Sequence, residues 1–528
     1  MIELLGDPFE AANPYGFAAA VARDAADEYP YDFAKVLHEV GFHTNYLPGR
    51  SLEHTHVLVR EAARRDLNIM PATMFSISAV LTVLAIGSAE QRDKVTGWVR
   101  DGRVIAFALS EEHAGSDVLA NTCRLSTVDG GWQLDGRKWL VGRGVTADAM
   151  LVVANSGGRG PGAFTAVLLE ARELAEVGCE PVAMSGMRGM DFANITFDGV
   201  RVPDGAVVGR VGQGLEGALR AQQIVRLMST AGCLSTVDTA LRVALRFAAE
   251  RKLGKGAVID SPYARRELAL AAAGTIAADV TALAACRMAH LAPQRFGLAS
   301  AVVKRVGTEL TSAAIARCGG VLGARAVLRE GYGAIWDKAS RDNAMVKVID
   351  TSPVGNLRAL AMQLPAYAAV PPGASETLAD TFRFGTPVPD LDPAALDLSP
   401  KPRDEVVPGF LALAGEIAEV APGGSLVALA ATQLRELLDQ AATAPSLKDS
   451  TGLLDLADRF CALYAAACAA LAWWFNRDRA LYRNGWLTGV LAYLTGQPGS
   501  RALPALECVE ALATADLPFT ALPQGEAR

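Results

Sequence analysis

An aspartate at the end of a long helical pattern is the first residue that could do chemistry. Asp350 lies in RDNAMVKVIDTSPVGNL (residues 341–357), nine residues after Arg341 and three before Pro353. A carboxylate followed by Thr-Ser-Pro is a common helix start, because proline suits the first turn and a preceding side chain caps it. A carboxylate at this place could instead act as a general base. The local residues favour the cap.

A second group of polar residues lies in ALSEEHAGSD (residues 108–117), at the end of a predicted strand. Ser110 supplies a hydroxyl, and Gly115 and Ser116 supply unhindered backbone N–H groups and a second hydroxyl. Such a loop can bind the edge of a flat heterocycle or a phosphate, although alone it is also an ordinary turn. Both interpretations stay open for this segment by itself.

Two further motifs match binding sites only in part. GQGLEG (residues 212–217) matches the G-x-G-x-x-G dinucleotide fingerprint, which requires a β-α-β unit with an acidic residue on the second strand. Asp238 lies at about that distance but within a helical pattern, so we interpret the glycines as a tight turn into a helix. His54 and His56 have no Cys or His pair nearby, which favours a surface or capping role and predicts no metal site.

Hydrophobic periodicity predicts the elements that position these residues. Apolar residues recur at helical spacing before and after a central region of short alternating runs such as ANITFDGVRVP. The pattern predicts a mostly α protein with a central antiparallel β domain. We divide it into an N-terminal helical domain (1–106), a β-barrel domain (107–213), a four-helix bundle (214–368), a Pro-rich linker (369–408) and an additional helical domain (409–515).

Composition narrows the class of protein. A net charge of −7 without a long Lys/Arg run argues against nonspecific nucleic-acid binding. Eight cysteines without a C-x-x-C motif indicate buried thiols in a reducing compartment, and the acidic start MIELLGDPFE is unlike a signal peptide, so we expect a cytoplasmic protein. The uncharged run at 460–475 is shorter than the roughly 20 residues that span a bilayer, which predicts a buried helix and no membrane span.

ALSEEHAGSD resembles the flavin loop of the acyl-CoA dehydrogenase/oxidase superfamily. It is followed in the family's order by DGRKWLVGRGVTADAMLVVA, GMRGMDFANITFDGVRVP, Arg251 at the end of FAAERK, VLGAR and RDNAMVKVID. The resemblance covers about residues 15–360 and includes the predicted helix, barrel and helix order. The chain is identified as a divergent member with a C-terminal helical extension.

The resemblance implies an FAD-dependent enzyme that desaturates acyl thioesters. In that family a carboxylate removes the α-proton, while the β-hydrogen leaves as hydride to the flavin. The base most often lies nine residues after the arginine of an Arg-Asp pair, which is Asp350 here. A second family solution places a glutamate before the arginine that matches Arg226, but Val225 stands there. The Asp350 backbone N–H would also bond the thioester oxygen.

The resemblance assigns the other site residues by position. Substrate contacts would come from Ser116, Arg226, Asp350 and Thr351. Flavin contacts would come from Leu109, Ser110, Gly115, Ser116, Leu140, Val141, Gly142 and Ser352, and, from a neighbouring subunit, Arg251, Leu253, Gly320, Leu322, Gly323 and Ala324. The enzyme would then be a homodimer or homotetramer. Its substrate would be an acyl-CoA or an acyl-carrier-protein thioester, and its electron acceptor an electron-transfer flavoprotein or O2.

Several positions depart from the family pattern. Asp350 replaces a glutamate and is one methylene shorter, which moves the carboxyl back by about 1.5 Å. Thr351 replaces a glycine, Gly142 replaces a threonine whose hydroxyl lies near the flavin N5, and Gln223 replaces a substrate-side aspartate. These changes leave alternatives open: an acyl-CoA oxidase, a nitroalkane-oxidase-like enzyme, a flavin monooxygenase, or a non-catalytic subunit of a heteromeric dehydrogenase.

Overall fold

The structure, a computed structural model, describes residues 2–70, 76–369, 376–398, 403–444 and 450–523. Helices form the first part of the chain. Helix Ile77–Ile86 is mostly apolar and is buried. Helix Ala89–Arg100 is preceded by a capping box of Ser88 and Gln91, which fixes its start. The helices are Ile2–Leu5 (α1), Phe17–Ala26 (α2), Tyr31–Glu39 (α3), Leu52–Ala63 (α4), Ile77–Ile86 (α5) and Ala89–Arg100 (α6).

A twisted sheet follows, with a short helix, Ala171–Leu174 (α7), between two of its strands. Seven strands lie in the order β6-β7-β3-β2-β4-β5-β8, and β1 pairs with β4. The strands are Ile105–Ala108 (β1), Arg124–Val128 (β2), Gly131–Val141 (β3), Ala149–Asn155 (β4), Phe164–Leu169 (β5), Gly178–Pro181 (β6), Ala193–Val202 (β7) and Val207–Val208 (β8).

The prediction of a purely antiparallel β domain is wrong in one respect. β1 runs parallel to β4, and β2 meets β4 in parallel at Arg124 and Asn155. The β2–β3 hairpin lies between β1 and β4 in the chain, so the chain reverses twice before β4 begins and β4 takes the direction of β1. The sheet is therefore mixed, although most of its pairs are antiparallel.

Long helices form the bundle that follows the sheet. They are Gly214–Glu250 (α8), Pro262–Leu291 (α9), Phe296–Leu322 (α10), Gly331–Val348 (α11) and Pro353–Ala368 (α12), with a small hairpin of Lys252–Leu253 (β9) and Gly256–Ala257 (β10) after α8. Of the glycines of GQGLEG, Gly212 lies in the turn before α8, with φ +85°, and Gly214 and Gly217 lie in the first turn of the helix. Asp238 lies within α8 and pairs with Arg242, so no second strand follows.

The predicted surface or capping role is wrong for His56. Its side chain is fully buried, and Nε2 lies 3.1 Å from the Thr230 hydroxyl on α8. His54, two residues earlier on α4, is exposed. The two rings point in different directions because residues two apart do not share a helix face.

The C-terminal helices continue the same hydrophobic core. They are Leu378–Phe382 (α13), Val406–Val420 (α14), Gly424–Ala442 (α15), Ser450–Asn476 (α16), Trp486–Leu494 (α17) and Leu503–Thr514 (α18). The segment predicted to be a linker is packed over its described residues 376–398, where Phe382, Phe384, Leu391 and Leu396 are buried. The apolar residues in this proline-rich stretch therefore serve the core.

Two described helices, α9 and α16, are long and apolar enough to cross a membrane by length and composition. Both lie mostly inside the protein, α9 completely so over its most apolar window. Helices α16, α17 and α18 pack against α9. The burial of α9 thus depends on the C-terminal helices.

Residues 515–522, here called the C-terminal strap, cross the helices of the first half of the chain. Arg60 on α4 donates to the Phe519 carbonyl at 2.8 Å, and the Ala521 N–H donates to Asp279 on α9 at 2.6 Å. Arg60 and Asp279 also form an ion pair whose side chains are both fully buried. The strap thereby joins α4 to α9.

The contribution of the buried Arg60–Asp279 ion pair to stability can be tested by substitution. In an Asp279→Asn variant the amide oxygen can still accept the Ala521 N–H, but Arg60 becomes a buried cation without its counter-charge. We expect the free energy of unfolding to fall by about 3–5 kcal/mol, measured by urea denaturation. Glu180→Gln, in the exposed pair with Arg137, is the control and should cost less than about 1 kcal/mol. Equal losses in both variants would contradict the assignment.

Candidate active site

The turn between α11 and α12 carries Asp350, and the structure decides its role in helix capping. The N-cap of α12 is Ser352, whose hydroxyl accepts the Gly355 N–H at 3.1 Å. Asp350 lies two residues earlier in a left-handed conformation, with φ +67°. The carboxylate is therefore not used to cap the helix, and the local interpretation of Asp350 as a cap is wrong.

The Asp350 carboxyl lies among cations of neighbouring helices. Burial raises its pKa above the ordinary value, and Lys304, a hydrogen bond with Ser229 and the charge of Arg226 oppose part of that rise. A carboxyl with a raised pKa accepts a proton more readily than an exposed aspartate does. The raised pKa of the Asp350 carboxyl thus suits a general base.

Arg226 on α8 faces the same turn. Its Nε donates to the Thr351 hydroxyl at 2.9 Å, and that hydroxyl also contacts the Asp350 carbonyl oxygen. Burial lowers the pKa of Arg226, while the charge of Asp350 acts in the opposite direction. Thr351, which stands where the family pattern has glycine, therefore has a definite partner here.

The predicted flavin loop meets this turn. Ser116 donates from its hydroxyl to the Ser352 hydroxyl at 3.0 Å, although the two residues lie 236 positions apart. The Ser352 N–H also points to the Ser116 oxygen at 3.4 Å. The structure thus brings the predicted residues Ser116, Arg226, Asp350, Thr351 and Ser352 together.

A buried ion pair holds the flavin loop, and the sequence interpretation missed it. Lys138 on β3 donates to Glu111 at 2.8 Å and to the Leu109 carbonyl at 2.9 Å. Burial alone would raise the pKa of Glu111, but Lys138 and the N–H groups of Thr122 and Cys123 hold it below its ordinary value. Leu109 is buried and Ser110 half-buried. Lys138 therefore holds the flavin loop against β3.

The segment from Leu140 to Gly142 lies at an irregularity at the end of β3. Leu140 has φ +51°, and its N–H donates to the Asn194 amide oxygen at 3.3 Å. Val141 and Gly142 are buried. The Trp139 N–H donates to the Ser110 carbonyl at 2.9 Å, which places this segment beside the flavin loop.

The residues predicted to meet the flavin from a neighbouring subunit lie elsewhere. Arg251 ends α8, 25 residues after Arg226, which is about 37 Å along a helix. Leu253 is 55% exposed on the β9–β10 hairpin. The remaining predicted residues are at the end of α10 and just after it: Gly320, Leu322, Gly323 and Ala324. Their contact with the flavin through a second copy stays a prediction.

The residues present fit a flavin in the predicted place. Gly115 has φ +53°, and open space lies where a Cβ would stand, so a ring edge could approach its backbone. The exposed Ser116 hydroxyl and the half-buried Ser110 hydroxyl supply hydrogen-bonding groups at the same loop. The contact of the flavin edge with the Ser110–Ser116 loop, and of its face with the Leu140–Gly142 segment, stays a prediction.

The Arg-Asp pair that locates Asp350 in the sequence has a structural role. Arg341 bonds Asp24 on α2 at 2.6 Å and donates to the Ser185 carbonyl at 2.9 Å. Asp342 accepts the Met187 N–H at 2.6 Å. The pair therefore joins α11 to the first helices and to the β6–β7 connection, which sets the position of the helix end.

Lys304 and Ser229 are further site residues that the sequence interpretation missed. Both lie on buried helix faces, and Lys304 donates to Ser229 at 3.1 Å. A signal was present, because Ser300, Lys304 and Thr308 recur every four residues in α10, which places them on one face of the helix. A lysine in such a polar stripe indicates a buried polar partner.

Comparisons with known proteins agree with this geometry. The acyl-CoA dehydrogenase middle-domain model matches residues 106–200, and the C-terminal-domain model matches residues 212–349. Mitochondrial isovaleryl-CoA dehydrogenase of Solanum tuberosum is 30% identical over 171 residues, which are 31% of this chain and 41% of that protein. The match thus spans less than half of that relative's length.

Solved structures share the fold at lower identity. A glutaryl-coenzyme A dehydrogenase in complex with glutaryl-CoA gives a TM-score of 0.61 at 20% identity, covering 66% of this chain and 90% of that one. A prolyl acyl carrier protein oxidase gives 0.56 at 18% identity, covering 64% and 91%. This chain therefore carries the middle and C-terminal domains of the acyl-CoA dehydrogenase family, over residues 106–200 and 212–349.

Proposed function

We propose that this protein is an FAD-dependent dehydrogenase that removes the α- and β-hydrogens of an acyl thioester. The observation that carries the proposal is the Asp350 carboxyl, which is half-buried, has a raised pKa, and lies on the turn that contacts the flavin loop through Ser352 and Ser116. The family membership supports the same class of reaction.

Each site residue then has a part in the reaction. Asp350 takes the α-proton and becomes a neutral acid, while its backbone N–H, by the family resemblance, donates to the thioester oxygen where negative charge develops. Arg226 keeps Thr351 and hence the turn in place. Bound FAD would supply the acceptor for the β-hydrogen as hydride. Ser110, Gly115, Ser116 and the Leu140–Gly142 segment would hold it.

The nature of the thioester carrier and of the electron acceptor belongs to the proposal. The relative from Solanum tuberosum is named for an acyl-CoA, whereas the oxidase with a similar fold is named for an acyl carrier protein. We expect electron-transfer flavoprotein or O2 as acceptor. A second copy of the chain would supply Arg251 and the Gly320–Ala324 segment, which makes the enzyme a homodimer or homotetramer.

A second candidate is an oxidase of the same fold that acts on a nitroalkane. The observation that favours it is the aspartate at position 350, together with Gly142, which brings no hydroxyl to the flavin face. The two candidates differ in substrate, since both need a carboxylate base. A purified protein reduced anaerobically by nitroethane but not by acyl thioesters would support this second candidate.

The base assignment predicts the behaviour of an Asp350→Asn variant. The yellow protein should still bind flavin, but bleaching by an acyl-CoA mixture in anaerobic stopped flow should slow by about 10²–10⁴-fold, because the α-proton has no acceptor. Asp129→Asn, in the exposed β2–β3 turn, is the matched control and should keep the wild-type rate. Unchanged bleaching in Asp350→Asn would refute the base, and a colourless wild-type protein would refute the flavin.

The raised pKa of Asp350 predicts a pH dependence. Only the ionised carboxylate can take the proton, so kcat/KM should rise with pH through the Asp350 pKa and level off above it. Since burial raises that pKa, the midpoint should lie above the ordinary aspartate value of about 3.9. Initial rates measured between about pH 4.5 and 9 should show this limb in the wild type. A flat profile down to the lowest pH would contradict the assignment.

A further inference from the structure

Lys304 on α10 is a buried lysine that makes three hydrogen bonds, two to the end of α11 and one to α8. Its Nζ donates to the Val346 carbonyl at 2.8 Å, to the Ile349 carbonyl at 2.9 Å and to the Ser229 hydroxyl at 3.1 Å. These bonds use all three ammonium hydrogens. The last carbonyls of a helix have no partner within it and carry the negative end of its dipole. Lys304 therefore caps the C-terminus of α11.

One of these bonds acts on the peptide group that carries the Asp350 N–H. In a trans peptide the C=O and N–H point in opposite directions. The bond from Lys304 to the Ile349 oxygen thus turns the Asp350 N–H away from the lysine. Within the described part of the chain, that N–H makes no hydrogen bond. A charged donor on the oxygen also polarises the amide and strengthens its N–H as a donor.

The same ammonium acts on the Asp350 carboxyl. Among the charges around this carboxyl, Lys304 makes the largest contribution to lowering its pKa, ahead of Arg226. The other titratable groups near the turn are Cys233 on α8, whose pKa burial raises to about 11, and Lys347 on α11. Lys304 therefore opposes the rise in the pKa of this half-buried carboxyl more than any other charge around it does.

We propose that Lys304 is a positioning residue whose single ammonium fixes the Ile349–Asp350 amide as a donor to the substrate carbonyl and keeps the Asp350 carboxylate ionised. The inference rests on the proposed function of Asp350 as the base. Nothing is transferred to or from Lys304 in the reaction, because all its hydrogens stay in bonds with Val346, Ile349 and Ser229.

A Lys304→Met variant tests both effects, since methionine has similar length but neither charge nor donors. We expect the acid limb of kcat/KM to move to higher pH by about one unit or more. At a pH above that limb, kcat should fall by about tenfold, less than the about 10²–10³ seen when an oxyanion donor is removed. KM should change little, because a weakened donor acts mainly where charge develops.

A spectroscopic readout does not depend on turnover. Infrared spectra of a bound 2-enoyl-CoA with a ¹³C-labelled thioester carbonyl report the polarisation of that carbonyl. The shift of its stretch to lower wavenumber on binding should shrink in Lys304→Met. Lys347→Met, which removes a charge on α11 but none of the turn's bonds, is the control and should keep the wild-type shift and pH limb.

A second variant covers the case in which Lys304→Met does not fold. Ser229→Ala removes one hydroxyl and leaves the bonds of Lys304 to Val346 and Ile349. In Ser229→Ala the acid limb of kcat/KM should move to higher pH. The infrared shift of the thioester carbonyl should stay as in the wild type, because Lys304 still holds the Ile349–Asp350 amide. An unchanged limb in Ser229→Ala, or unchanged limb and carbonyl shift in a folded Lys304→Met, would overturn the proposal. Failure of the proposed function is distinguishable, because it would appear as full activity of Asp350→Asn.

Discussion

Two sources of negative charge meet at the turn after α11, and the surrounding structure has to compensate for both. The free carbonyls at the helix end carry the negative pole of the helix, and the half-buried Asp350 carboxylate follows them on the turn. Lys304 from α10 and Arg226 from α8 supply the opposing charges. These two long helices pack against each other, and both therefore have to lie beside the turn.

The position of the turn also depends on contacts far from the chemistry. Arg341 and Asp342 tie α11 to α2 and to the β6–β7 connection, and Ser352 contacts Ser116 on the opposite side. Helix α2, the β6–β7 connection and the flavin loop thus each form a hydrogen bond with α11 or with the turn that follows it. A displacement of the β domain relative to the bundle would change the distance between the flavin loop and the base, to which rates are sensitive.

The resemblance to the acyl-CoA dehydrogenase family was enough to predict which residues meet at the turn, because it carried the family's site positions over to this sequence. Asp350, Arg226 and Ser116 lie together as that reasoning requires. Their chemical roles stay predictions, as do the contacts from a second subunit. The capping question could not be settled from sequence, since Asp350, Thr351 and Ser352 all have side chains able to cap, and only backbone geometry shows that Ser352 does.

Partners that depend on tertiary packing could not be predicted. The sequence around Lys304 predicts a helix and that around Lys138 predicts a strand. Their acceptors, such as Val346 and Leu109, lie tens of residues away along the chain. The parallel pairing of β1 and the packing of residues 376–398 likewise depend on long-range contacts. Local periodicity describes each element but carries no information about its neighbour.

The contacts of the C-terminal strap constrain the order in which parts of the protein can pack during folding. Arg60 donates to the Phe519 carbonyl, 459 residues further along the chain. At a synthesis rate of about 5–20 residues per second, a ribosome needs roughly 20–90 s to extend the chain from one to the other. Until the strap has been synthesised, α4 and α9 lack these hydrogen-bonding partners. The strap can therefore complete the packing of the helical core only after both of the helices that it joins have been made.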